Sequence, residues 1–125
     1  DVGLLAAKAK LNARTLLEGN RIFQEFKGAL AEQYVQQQLL AECGLETYYW
    51  ASEKSGSEID FLIQNEMSIV PIEVKAEVNL QAKSLKFYCL KFRPPVAIRT
   101  SMGKYYKQTI SFSETSDVHA SEAIL

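Results

Sequence analysis

Two periodicities divide the chain. In the first third, apolar residues recur every three or four positions. Phe26, Leu30, Ala31, Tyr34, Val35, Leu39 and Leu40 follow this spacing and predict a long helix over 21–43, with Gly44 as its C-terminal cap. A shorter helix over 3–10 is expected before it, capped by Asp1, with Leu4, Leu5 and Ala7 on its apolar side. Between them the chain is polar, and Gly19-Asn20 reads as a break.

From Thr47 the period shortens. Residues 47–52 are aromatic and strand-like, Lys54-Ser55-Gly56 is a turn, and residues 58–64 form a second strand. A tight turn at 65–67 leads into a third strand over 68–76. An amphipathic helix over 80–92 carries Leu80, Leu85, Tyr88, Cys89 and Phe92 on one side, and Pro94-Pro95 ends it. Residues 96–100 form a short buried strand, and 104–112 add one more. The short turns make the meander 47–76 antiparallel, and the strand after the helical crossover lies parallel to its neighbour. The expected fold is α/β: an αβββαβ core with a central mixed sheet flanked by helices. Residues 113–125 are polar and weakly patterned, and are expected to be a loosely ordered tail on a domain spanning 1–112.

Alternation assigns the faces of the two central strands. Val70, Ile72, Val74 and Ala76 share one face of the third strand; Ile69, Pro71, Glu73 and Lys75 share the other. Glu73 and Lys75 therefore project together, about 6.6 Å apart along the strand. In the second strand Ile59, Phe61 and Ile63 form an apolar face opposite Glu58, Asp60 and Leu62. If Glu66-Met67 is a two-residue loop, Asn65 pairs with Ser68 and Asp60 comes opposite Glu73. A three-residue loop would set them one step diagonal. Like charges opposed across a strand pair destabilise a sheet. A divalent cation between them would relieve that, and oxygen-only ligands suit Mg²⁺ or Mn²⁺. Lys75 beside such an ion could orient a water or stabilise charge on a phosphate. The alternative for the same pattern is an edge hairpin with ordinary solvent-facing charges.

Composition narrows the partners. The 125 residues suit one domain, and 47% hydrophobic content suits a globular one. With 14 basic and 15 acidic residues the net charge is −1, so nucleic acid could be bound only through a local basic patch. Lys83, Lys86, Lys91, Arg93 and Arg99 are candidates, extended by Lys104 and Lys107. Cys43 and Cys89 have no metal or disulfide spacing and are read as packed thiols, in keeping with a cytoplasmic protein. No apolar run approaches membrane-spanning length. Tyr48, Tyr49 and Trp50 could stack bases but are expected to pack, and His119 is assigned no role. A start without methionine suggests a piece of a longer protein.

Ser57-Glu58-Ile59-Asp60-Phe61, followed about a dozen residues later by Ile72-Glu73-Val74-Lys75, resembles the PD-(D/E)XK nuclease superfamily. Glu32, in Gly28-Ala29-Leu30-Ala31-Glu32, matches the glutamate that this superfamily carries on its core helix. Ile59 stands where the superfamily has proline. Residues 1–110 look closer still to a domain of unknown function at the C-terminus of prokaryotic AAA-type ATPases. The resemblance implies a restriction-endonuclease-like core and a Mg²⁺-dependent phosphodiesterase site. Asp60, Glu73 and Lys75 would be catalytic there, with Asp60, Glu73 and Glu32 on the metal. It also implies DNA as substrate, an N-terminal P-loop ATPase domain in the same protein, and scope for homo-oligomers. In that superfamily the helix after the lysine strand often adds a polar residue; Gln81 and Lys83 lie there, and Lys83 and Lys86 are the phosphate-contact candidates. The chain has no GxxxxGK[ST] and so no ATPase site of its own. Two rival expectations stand beside the nuclease: a catalytically silent regulatory or oligomerisation module, and a nucleic-acid binder that does not cut.

Overall fold

The structure is a computed structural model that describes residues 2–8, 10, 21–76, 82–101, 104–105, 107–110 and 120–123. Two helices, α1 (Val2–Lys8) and α2 (Arg21–Ala41), precede an antiparallel meander of β1 (Tyr48–Ser52), β2 (Ser57–Asn65) and β3 (Ser68–Val74). Helix α3 (Lys83–Phe92) then crosses over to β4 (Val96–Thr100), which pairs parallel with β3. Strands β5 (Lys107–Ile110) and β6 (Ala120–Ala123) complete a mixed sheet in the order β1-β2-β3-β4-β6-β5. β6 lies within the stretch expected to be a loose tail: Ala120–Ala123 pairs parallel with β4 and antiparallel with β5. Its weak hydrophobic pattern gave no strand signal, and main-chain pairing places it.

The turn chemistry follows the sequence. Gly44 takes a left-handed conformation (φ +64) just past α2, and the Leu45 N–H folds back onto the Leu39 carbonyl at 2.9 Å. Gly56, also left-handed (φ +63), donates its N–H to the Ser52 carbonyl and closes the β1–β2 turn. The β2–β3 hairpin has the two-residue loop Glu66-Met67, with Asn65 paired to Ser68.

The helices cover opposite faces of the sheet. On the α2 face Leu39 packs with Phe61, Ile63, Val70, Ile72 and Val74, and Ala31, Val35 and Ile98 close around them. On the α3 face Leu85, Tyr88, Cys89 and Ala82 pack with Ile59 and Ala97, with Trp50 and Leu62 at the margin. Among the helix positions expected to be apolar and inward, Tyr34 (54%) and Leu40 (48%) are exposed, because α2 covers the sheet along a narrow stripe. Cys43 is exposed rather than packed, since it follows the last turn of α2; Cys89 is fully buried. Between α2 and the C-terminal ends of β3 and β4 lies a largely apolar cleft of about 490 Å³, flanked by Ala31, Tyr34, Val35 and Val74, with Lys75 on its lining.

One expectation about faces fails at β2. Ile59, Phe61 and Ile63 do not share a face: Ile59 belongs to the α3 cluster, Phe61 and Ile63 to the α2 cluster. The β1–β2 register explains this. Tyr48 pairs with Leu62 and Trp50 with Ile59, so two steps along β1 span three along β2. The extra residue is a β-bulge at Asp60-Phe61, and it reverses the alternation there.

Candidate active site

The bulge falls on the aspartate singled out from the sequence. Asp60 is part-buried, and its Oδ2 accepts the Val74 N–H at 2.6 Å, just past the regular β2–β3 pairs, which run from Asn65 with Ser68 to Phe61 with Ile72. Continued one step, that register sets Asp60 opposite Glu73, as the two-residue loop requires. Bulges bend a strand and re-aim side chains, and this one turns a carboxylate toward the end of β3.

Glu73 is 4% exposed and lies on the α3 face beside Pro71. Its Oε2 accepts the Leu85 N–H at 3.2 Å, and its Oε1 meets Lys75 Nζ at 2.6 Å. The first bond has a local cause. The N-cap position of α3 is Ala82, which has no side-chain oxygen and makes no cap bond. The free amides of the first turn must find an acceptor elsewhere, and Glu73 reaches across from β3 to supply one with negative charge. Lys75, at 36% side-chain exposure, has left the strand and faces solvent while holding Glu73.

The electrostatics tie these groups together. Burial raises the pKa of Asp60 first; the Val74 N–H opposes this, Glu73 adds to it, Lys75 lowers it and Glu58 raises it again. Glu32, on the exposed side of α2, also has a raised pKa, from partial desolvation first and then from Asp60 and Glu58, with Lys75 acting the other way. Glu32 therefore lies within the field of the cluster. Tyr49 donates its hydroxyl to Glu58 Oε2 at 3.0 Å, and that bond raises the tyrosine pKa.

The donors fit a divalent cation in kind. They are hard carboxylate oxygens, each with capacity beyond one hydrogen bond, and their mutual repulsion is relieved by positive charge. Among the described residues no three His, Cys, Asp or Glu side chains come close enough together to hold a metal ion. Both Glu73 oxygens already have partners, Oε1 the Lys75 ammonium and Oε2 the Leu85 N–H.

The remaining sequence candidates separate. Lys83 and Lys86 are exposed on α3, with Lys83 in the turn that Glu73 caps. Lys91, Arg93, Lys104 and Lys107 are exposed as well. Arg99 does not belong to a surface patch: it is 4% exposed and pairs in register with Glu73, because the parallel β3–β4 ladder carries it inside. Gln81 and His119 lie outside the described residues. Tyr48 (56%) and Tyr49 (65%) are exposed, since β1 is an edge strand, and of the three aromatics only Trp50 packs beneath α3. The bulge, the Glu73 cap and the depth of Arg99 were not read from the sequence. Only the cap left a trace there, in a helix start with alanine where an oxygen-bearing residue is usual.

Fold and site together define a mixed α/β domain with a carboxylate–lysine cluster at the open end of its central hairpin. Residues 27–116 match the family described as a domain of unknown function, DUF4143, and the chain belongs to that family. A search of curated proteins finds no match to it. Among the described residues no helix is long and apolar enough to cross a membrane.

Proposed function

We propose that this domain is a Mg²⁺-dependent phosphodiesterase acting on DNA. In this reading it has a restriction-endonuclease-like fold and forms the C-terminal part of a cytoplasmic AAA-type ATP-binding protein. The observation that carries the reading is the convergence of Asp60, Glu73 and Lys75 at a bulge in the sheet, with Glu32 in their field. Asp60 and Glu73 would hold the ion, and Glu32, which is not grouped with them here, would add a further ligand only after its side chain moves toward them. When bound, the ion supplies Lewis acidity at a phosphate oxygen. Lys75, released from Glu73, orients the attacking water or offsets charge that builds on the phosphate. Burial of Glu73 and its bond to Leu85 hold that carboxylate in place before substrate arrives.

The test is cleavage of plasmid and single-stranded DNA by the purified protein with Mg²⁺ or Mn²⁺. Lys75→Ala and Asp60→Ala should each lower the rate by about 100-fold or more. Cleavage that persists in both variants sinks the reading.

A second reading has its own observation. Lys75, Leu85 and Val74 already satisfy three of the four oxygens of Asp60 and Glu73, as they would in a purely structural network. In that case the domain is a silent regulatory or oligomerisation module of the ATPase. Calorimetry with Mn²⁺ decides: no heat, and no Mn²⁺-dependent rise in Tm, favours the silent module.

A further inference from the structure

The charge of the chain is unevenly spread. No acidic residue falls between Glu77 and Glu114, while Lys83, Lys86, Lys91, Arg93, Arg99, Lys104 and Lys107 do. Half of the 14 basic residues thus sit in a segment whose own sequence has no acidic residue, and the other half share the remaining chain with all 15 acidic ones. A net charge of −1 conceals this.

Helix α3 displays Lys83, Lys86 and Lys91 of this segment to solvent. Its buried stripe is Leu85, Tyr88 and Cys89. Its outer positions, spaced three and four apart, are Lys83, Lys86, Phe87, Leu90 and Lys91, all exposed. Phe87 is 36% exposed, Leu90 56% and Phe92 47%, an unusual load of apolar surface for one ten-residue helix. The rings gather around Trp50. Its centroid lies 6.4 Å from Phe87, 5.1 Å from Tyr88 and 5.7 Å from Phe92. Lys91 Nζ rests 5.0 Å from the Phe92 centroid and 5.9 Å from that of Trp50.

We infer that this face, formed by α3 and Trp50, is a stacking platform for single-stranded nucleic acid. Lysines alternating with half-exposed rings match a ligand that alternates phosphates with π-faces. A duplex hides its base faces and would leave the aromatics without a role. A purely apolar partner would leave three lysines on this helix without one. The platform also adjoins the candidate site. Trp50 pairs with Ile59, the residue before Asp60, and Lys83 lies in the turn that Glu73 caps. The inference deepens the phosphodiesterase reading by naming its substrate as single-stranded; that consequence rests on the reading, and the binding does not.

Trp50 is the only tryptophan, so its fluorescence reports on the platform alone. The experiment titrates the protein with a short oligothymidylate in EDTA, where no metal-dependent cleavage can occur. Saturable quenching is expected, with the logarithm of affinity falling against that of salt at a slope of about −2 for three lysine contacts. Phe92→Leu, which keeps apolar volume but removes the ring, should weaken binding roughly 5- to 150-fold. An abasic oligomer or a duplex of equal length should quench little. Equal quenching by the abasic oligomer would reduce the interaction to phosphate charge and overturn the platform; so would equal quenching by duplex, or none by the oligothymidylate. A blue shift of Trp50 emission that tracks protein concentration, with dimers in sedimentation, would overturn it in favour of a second copy on this face. Quenching without cleavage in Mg²⁺ refutes the phosphodiesterase alone, and cleavage without quenching refutes the platform alone.

Discussion

The sheet has two faces made of different material. Against α2 it is apolar: Leu39, Phe61, Ile63, Val70, Ile72 and Val74 meet without a charged group among them. Against α3 it buries Glu73 and Arg99 beside Ile59, Leu85, Cys89 and Ala97. The first face gains stability from removing apolar area from water. The second must also compensate desolvated charge, which for Glu73 it does through the Leu85 amide and Lys75. The comparison teaches where chemistry is tolerated in a small domain. One face supplies the excess of stability, and the other keeps a set of buried polar groups at the sheet end.

The largest effect should come from the dry face. Ile72 is fully buried, and Ile72→Ala should cost about 2–5 kcal/mol in denaturant unfolding while leaving Mn²⁺ binding by the folded protein unchanged. A cost below about 1 kcal/mol would mean that the neighbouring cleft collapses to fill the gap, and that this face is not the stabilising one.

Glu73→Ala tests the charged face. It strips the acceptor from the Leu85 N–H and the partner from Lys75, and should destabilise by about 1–3 kcal/mol. Glu73→Gln keeps an acceptor for the amide and should recover much of that loss. If Ala and Gln behave alike in thermal unfolding, the cap contributes nothing.

Asp60 should act in the opposite sense. Its native pKa is raised from 3.8, and that of Glu32 from 4.5, so the folded chain binds protons more tightly than the unfolded one. Stability from these two groups is highest below the ordinary carboxylate values and falls as pH rises through the raised ones. Asp60→Asn removes the Asp60 share and can still accept from Val74. It should raise Tm by a few degrees at neutral pH and flatten the decline above pH 4. A lower Tm for Asp60→Asn at neutral pH would show that the carboxylate is net stabilising and that burial does not dominate there.

The smallest effect is expected on the outer surface of α3. Phe92 is 47% exposed, and Phe92→Ala should change stability by less than about 1 kcal/mol. A larger loss would make the ring cluster a structural element of the charged face rather than a surface for a ligand.

Much of the frame was legible in the chain. Strong periodicity marked α2, the meander and α3, and Gly44 and Gly56 stand in the left-handed conformations that their turns require. The two-residue loop set the β2–β3 register, and with it the approach of Asp60 to Glu73. Parity also put Glu73 opposite Ile72 and Val74 in facing, as observed.

The rest depended on tertiary contact. Strand parity assumes an unbroken ladder, and the extra residue at Asp60-Phe61 exists only relative to the spacing of β1. A glutamate two positions from a lysine looks solvent-facing until a helix arrives whose first turn lacks its own cap. Arg99 reads as one more basic residue until the parallel ladder buries it beside Glu73. Local pattern, acting over a few residues, determined which segments are helices and strands, β6 excepted, and which residue types the site contains. Pairing and helix docking between distant segments decided where those side chains point and which of them share a partner, because such contacts have no local signature.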